Sequence, residues 1–207
     1  MRKIAFILSL LFLAYSLSMC KNVFSAFSEP VTENYYQIFL PKTGQTTCYE
    51  PTCTTPPCPT VPCAGTGQDG EYQRGASWPS PRFIDNENGT VTVRLTGLMW
   101  QQNGSASGTL NWQDALNYVK TLTTGGYTDW RIPNSNELKS LVNYGLSDSA
   151  AWLNSQGFNG IQLNIYWSAS TVASVTAGAW YVIMNNGREF YSGKINTSYV
   201  LAVRGGQ

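Results

Sequence analysis

The sequence predicts an α+β fold. Two stretches in its middle, Trp112 to Leu122 and Asn134 to Val142, place apolar residues at helical spacing behind recognisable caps. On either side of them, short β-branched and aromatic runs are joined by Asn-Gly turns, the mark of antiparallel hairpins. Ahead of both lies a Pro/Gly-rich segment with four evenly spaced cysteines, so a disulfide-stapled leader is expected before the folded domain.

In chain order, Arg2 and Lys3 precede an apolar run from Ile4 to Leu17, a basic region and a short hydrophobic region that read as a secretory signal over residues 1–28. Cleavage after Ala26-Phe27-Ser28 is preferred. A lipoprotein signal with Cys20 as the anchored residue is the alternative, disfavoured by the bulk of Met19, and an uncleaved membrane anchor is a third reading. Removing residues 1–28 takes Arg2, Lys3 and Lys21 from the 13 basic residues, leaving 10 against 12 acidic ones. The mature chain is therefore close to neutral and carries no Lys/Arg cluster, which argues against a nucleic-acid partner. Its 207 residues are 43% hydrophobic and 13% aromatic, enough for a proper core, while only 12% are charged, a mix common on secreted β-rich proteins.

Residues 29–81 form the leader. Cys48, Cys53, Cys58 and Cys63 recur every five residues without the close Cys-x2-Cys pairs of zinc sites, and the chain has no histidine, so two disulfides are expected. Three connectivities are possible; a nested 48–63 and 53–58 pairing is preferred because it closes a compact Pro-rich loop. Leu40-Pro41-Lys42-Thr43-Gly44 spells a sortase-type signal in a position where none would work. Gly65 to Gly70 is glycine-rich but lacks the Lys-Ser/Thr ending of a phosphate loop.

The domain is expected over residues 82–207. Phe83-Ile84 and Thr90 to Val93 flank Asp85-Asn86-Glu87-Asn88-Gly89, a hairpin with positive φ expected at Asn88 and Gly89. Asp85 and Glu87 could be read as a calcium loop, but their spacing fails the twelve-residue pattern, so no cofactor is expected. Thr96 to Trp100 reads as a second strand. A first helix starts at Trp112 with Thr109 or Asn111 as cap. Asn134 and Glu137 then form a capping box for a second, with Leu138, Leu141 and Val142 along one face. Between them, Asp129-Trp130-Arg131 reads as a core plug flanked by local ion pairs, Arg131 with Asp129 or Glu137, or as a ligand-contacting loop. Strands follow at Ile165–Ser170, Ala179–Met184, Glu189–Tyr191 and Tyr199–Arg204, with a hairpin turn at Asn185-Asn186-Gly187. Ser147 to Asn164 reads as a long polar connection of the kind that carries binding sites.

Thr96 to Trp100, Trp112-Gln113-Asp114-Ala115-Leu116, Asp129 to Asn134 with Glu137-Leu138, Tyr166-Trp167-Ser168, Ala179-Trp180 and Val203-Arg204, in this order and spacing, resemble the Lcl C-terminal domain family, named for a bacterial collagen-like adhesin. The resemblance covers about residues 82–207. It implies a C-type-lectin-like fold on exported bacterial proteins, with a binding rather than a catalytic role. It also makes Trp100, Trp112, Asp129, Trp130, Arg131, Glu137, Trp167 and Trp180 motif positions. In the adhesin the domain is linked to trimers and sulfated glycans; here neither a collagen repeat nor a basic patch is present. Val93-Arg94 stand where the family often has Asp-Asn, and the Glu-Pro-Asn or Gln-Pro-Asp triplets of calcium-dependent sugar-binding lectins are missing. The reactive cysteine pair of the formylglycine-generating enzymes, which share the fold, is also missing from the domain.

Without histidine, free mature cysteines or paired carboxylates, no enzymatic activity is expected. Aromatic and amide side chains suit recognition, and they concentrate in the last third. Asn185, Asn186, Arg188, Tyr191 and Tyr199 are the candidate ligand-binding residues. The expected function is an exported or cell-surface module that recognises an extracellular glycan or protein, adhesin-like. A structural subunit of an extracellular assembly, forming trimers or larger homo-oligomers, and a diversified receptor-binding protein are the alternatives.

Overall fold

The computed structural model describes residues 40–205; the expected signal over residues 1–28, with its Cys20 alternative, lies outside the described residues. From Leu40 onward the chain forms one compact unit. It mixes short helices with largely antiparallel sheets, an α+β arrangement.

In the leader, β1 (Cys48–Tyr49) pairs with β2 (Thr60–Val61), and disulfides join Cys48 to Cys63 and Cys53 to Cys58 in the nested order. Cys48 is fully buried under α1 (Asp69–Tyr72), whose Gly70 lies so close that a Cβ there would stand 2.7 Å from the Thr47 carbonyl. The leader is packed onto the rest of the unit. Trp78 lies 5.6 Å from Trp152, donates its indole N–H to the Lys42 carbonyl at 3.0 Å, and stacks on the Arg82 guanidinium at 4.0 Å; the Tyr144 amide donates to the Thr43 carbonyl at 2.8 Å. Burial among these rings pushes the Arg82 pKa down to about 10, which still leaves it charged at neutral pH.

The β3 (Phe83–Asp85) and β4 (Thr90–Val93) hairpin forms as the Asn-Gly signal predicts, and β5 (Met99–Gln101) and β11 (Val203–Arg204) complete a four-stranded sheet in the order β11-β5-β4-β3. The positive φ values fall on Glu87 (58°) and Gly89 (81°) rather than on Asn88. Asn88 instead keeps its side chain on the Thr90 hydroxyl at 2.7 Å, and the Asp85 carboxylate accepts the Glu87 amide at 2.8 Å. Asp85 and Glu87 thus shape the turn.

The second sheet has the order β6-β10-β7-β8-β9, with β6 Thr109–Asn111, β7 Ile165–Thr171, β8 Gly178–Ile183, β9 Glu189–Gly193 and β10 Thr197–Tyr199. All neighbours are antiparallel except β10 and β7. Side-chain alternation divides its two faces between two cores. Tyr166 and Val182 join the larger core with Val91, Trp100 and the four-stranded sheet, whereas Trp167 and Ala179 join the smaller one with α2 (Trp112–Thr121). Asn111, the last residue of β6, and not Thr109, caps α2, because it stands immediately before the first helical residue; its side chain accepts the Asp114 amide at 2.9 Å.

The capping box of α3 (Ser135–Lys139) is present on both sides, and Leu138, Leu141 and Val142 are all buried. Two sequence expectations change. Ser147 to Asn164 is no polar loop: α4 (Ser149–Ser155), capped by Asp148, buries Ala150 and Leu153, and Phe158 and Ile161 follow them into the larger core. Its apolar residues, Ala150 to Leu153, run consecutively, so no helical period shows in the sequence. The last apolar run is not one strand either. Val200 and Ala202 enter the smaller core while Leu201 enters the larger one, so the chain passes between the cores and changes sheets from β10 to β11.

Arg131 makes a bidentate pair with Glu137 at 2.6 and 2.8 Å. Burial alone would raise the Glu137 pKa, but the hydrogen bonds from Arg131 and from the Asn134 amide outweigh it and hold the carboxyl below its usual range. A depressed folded-state pKa stabilises above the unfolded value of about 4.3 and is lost as pH falls through the folded one. Acidification from about pH 5 toward pH 3 should therefore lower the urea midpoint of the wild type more steeply than that of Glu137→Gln, which at neutral pH should lose about 1–2 kcal/mol. For the leader, replacing both Cys48 and Cys63 by Ala should cost about 3 kcal/mol and replacing Cys53 and Cys58 about 2, rising with the logarithm of loop length, as read from denaturation curves under oxidising conditions.

Candidate functional site

The five residues singled out from sequence do not converge. Asn185 and Asn186 shape the turn between β8 and β9. The Asn185 carbonyl accepts the Ser149 amide at 3.0 Å, and the Asn186 side chain accepts the Arg188 amide at 3.1 Å. The Asn185 side-chain oxygen is buried without a partner. Gly187, at φ 72°, rests on the ring of Tyr144, so closely that an added Cβ would stand 2.7 Å from it. Lys139 and Glu189 close the same region with an ion pair at 2.7 Å. Of the turn, Arg188 alone is exposed, its guanidinium 5.1 Å from the Phe190 ring. Tyr199 is half-buried and stacked on Tyr166 at 5.6 Å. Tyr191 is 51% exposed and meets Trp180 edge-on at 5.8 Å across the β8–β9 pair.

The motif residues are mostly structural. Trp100, Trp130 and Trp167 are buried; Trp130 donates to the Thr124 carbonyl at 3.2 Å and Trp167 to the Leu110 carbonyl at 2.9 Å. Asp129 pairs with Arg204 at 2.6 and 3.0 Å, and that hydrogen bond holds its carboxyl below the usual range. Trp180, expected in the core, is only half-buried, because its face of the sheet runs out from under α3 toward Gly178 and Gly193, which offer no side chains to cover it.

Open chemistry gathers at the opposite end of β9 from the Asn-Asn-Gly turn. Asn111, Trp112, Gln113, Lys194 and Ile195 line a cleft of about 530 Å³. Trp112 anchors it by donating its indole N–H to the Ser168 carbonyl at 2.9 Å. The Lys194 ammonium stands 4.2 Å from the Trp112 ring and donates to the Thr171 hydroxyl at 2.9 Å, so its stem is held against the wall. The Lys194 amide also donates to the Ala177 carbonyl at 2.9 Å, which ties the turn to the neighbouring loop. Asn111 is committed to its cap and the Gln113 side-chain nitrogen donates to the Asn117 side chain at 3.2 Å, leaving the exposed Gln113 side-chain carbonyl and the Lys194 ammonium to face a ligand, with Ile195, 89% exposed, as the apolar rim. This set can hold a mixed polar and apolar ligand by hydrogen bonding and contact.

Lys194 and Ile195 escaped the sequence reading because they follow the last residue of β9. The available signal was Gly193-Lys194-Ile195-Asn196, a turn carrying an aliphatic residue that no core pattern claims. Among the described residues, no group of three or more His, Cys, Asp or Glu side chains is placed to hold a metal ion.

A comparison with curated proteins finds no match. The family model of the Lcl C-terminal domain matches residues 89–204, more than half of the chain and all of the arrangement from the β3–β4 turn to β11. With the capped helices, the buried tryptophans and the Arg131 junction in place over that span, the chain belongs to the Lcl C-terminal domain family.

Proposed function

We propose that the protein is an exported or cell-surface binding module, adhesin-like, with a C-type-lectin-like fold, and that it recognises an extracellular glycan or protein ligand. Family membership supports the surface role, since the family takes its name from a collagen-like adhesin. Among the described residues no helix is long and apolar enough to cross a membrane. The observation that carries the reading is the Trp112–Lys194–Ile195 cleft, where an aromatic wall, a held ammonium, an exposed amide and an aliphatic rim converge on one concavity. Those groups suit recognition: the aromatic and aliphatic surfaces supply contact at low entropic cost, and the amide and ammonium fix orientation. No acid/base pair or nucleophile joins them, so binding is proposed and catalysis is not.

The test is binding of the purified, oxidised chain to immobilised polysaccharides and matrix proteins, with and without calcium. Saturable binding should weaken about tenfold or more in Lys194→Ala, the loss of a charged hydrogen bond of ~1.5 kcal/mol, and weaken further when Ile195→Ser is added. Arg188→Ala, at the far end of β9, should leave it unchanged. Binding that ignores both cleft variants would overturn this placement of the site.

A further inference from the structure

β9 ends its sheet, and among the described residues no strand pairs with its far side. Its neighbour β8 receives it without a register shift. The Ile183 amide donates to the Arg188 carbonyl and the Lys194 amide to the Ala177 carbonyl, so positions 188 and 194 face inward, and by antiparallel alternation so do 190 and 192. The amides of Glu189, Tyr191 and Gly193 therefore point away from the sheet. Natural edges are blunted with proline, lysine or a bulge. Here none of the five residues is a proline or a lysine, the pairing is regular, and the single charge, Glu189, is turned inward to Lys139. Phe190 on one face and Tyr191 on the other are 43% and 51% exposed. Such an edge offers hydrogen bonds to an extended strand and aromatic contacts on both sides of it.

We propose that this edge pairs with β9 of a second copy of the chain, antiparallel about a two-fold axis through Phe190. The side-chain order is compatible with a second copy, since the strand can face itself without opposing like charges, and it selects the register. Centred on Phe190, the pairing sets Phe190 against Phe190 of the partner subunit, Glu189 against the partner subunit's Tyr191, and Arg188 against the partner subunit's Ser192. No like charges meet. Centring on Tyr191 would instead place Arg188 opposite Lys194, which is unfavourable, and centring on Ser192 would set Phe190 against Lys194 and bury no aromatic pair. The free amides of Glu189 and Tyr191 fall at hydrogen-bonded positions of the Phe190-centred ladder, so backbone and side chains agree on it. A two-fold pairing of this kind is closed, because both copies use the same edge and leave none of it free for a third. The inference is independent of the ligand cleft, which lies on other residues.

Sedimentation velocity on the full chain from about 1 to about 100 µM, the range in which a small interface associates, is the direct test. Wild type should shift toward a dimer with concentration. Tyr191→Pro removes an outward amide that bonds to nothing inside the sheet, and Phe190→Lys puts two ammonium groups face to face; both should stay monomeric with unchanged circular dichroism. Phe190→Cys should form an intermolecular disulfide on oxidation, since opposed residues at a non-hydrogen-bonded position stand about 4.5 Å apart at Cα, within disulfide range. Ser192→Cys should not. A monomer throughout, association that survives both Tyr191→Pro and Phe190→Lys, capture of residues 1–39 or of an added peptide by the edge, or cross-linking through Ser192→Cys alone would each overturn the proposal.

Discussion

The structure depends on the junction that Arg131 makes. Its backbone exchanges both hydrogen bonds with Val203 at 2.9 Å, which fixes β11 on the four-stranded sheet. Its side chain closes the capping box of α3 through Glu137 and also donates to the Gly205 carbonyl at 3.2 Å. Two residues on, the Pro133 carbonyl accepts the Ala169 amide at 2.7 Å and so reaches the other sheet. Trp130 on one side enters the smaller core, and Leu138 on the other enters the larger. One short stretch thus binds two sheets, two cores and a helix start. A half-exposed ion pair alone would contribute little. Here it acts through the backbone it orders, because the guanidinium fixes the carboxylate that fixes the first turn of the helix.

That arrangement accounts for where recognition can and cannot lie. Trp100, Trp130 and Trp167, which mark the family, are used as core plugs, and Trp130 and Trp167 bind carbonyls through their indole N–H groups. Buried indoles of this kind are unavailable to a ligand and too costly to move. The exceptions are Trp112, whose ring forms a cleft wall while its N–H is anchored behind it, and Trp180, beyond the cover of α3. Trp112 opens α2 and Trp180 lies in β8, neither of them in the strand pairing that the Arg131 junction makes. The loops that frame the cleft are fixed locally instead, by the Val172 amide on the Gly178 carbonyl at 3.1 Å and the Lys194 amide on the Ala177 carbonyl at 2.9 Å. The wall and rim of the site are therefore set before any ligand arrives, which lowers the ordering cost of binding.

Local chemistry was legible in the sequence and non-local chemistry was not. The capping box at Asn134, the β3–β4 hairpin and the nested disulfides each rest on residues close in sequence, and each is present. The fate of Tyr199 depends on β10 slotting between β6 and β7, partners many residues away, so its burial against Tyr166 could not be read from its neighbours. Asn185 and Asn186 looked like recognition residues because hairpin tips usually are exposed. This tip is held by Ser149 of α4, a short helix whose apolar residues run consecutively and show no helical period. Arg82 shows the same limit. An arginine at the start of a strand reads as surface, yet Trp78 from the leader and Trp152 from α4 enclose it.

The cleft opens just past the end of β9, the strand that carries the free edge, and this gives the two proposals a common consequence. A two-fold axis relating antiparallel strands stands perpendicular to the sheet, so both copies present the same face on the same side. Lys194 lies four residues from Phe190, and its counterpart lies four residues the other way. Eight residues of strand at about 3.4 Å each place the two clefts roughly 27 Å apart along the shared sheet, open in one direction. A repeating polymer or a dense surface could then meet both at once. The second contact would form at the high effective concentration set by a rigid spacing rather than at the concentration in solution. A shallow cleft with one ammonium and one amide is a modest binding site alone, and pairing through β9 is the change that would let it hold a surface without any new contact to the ligand.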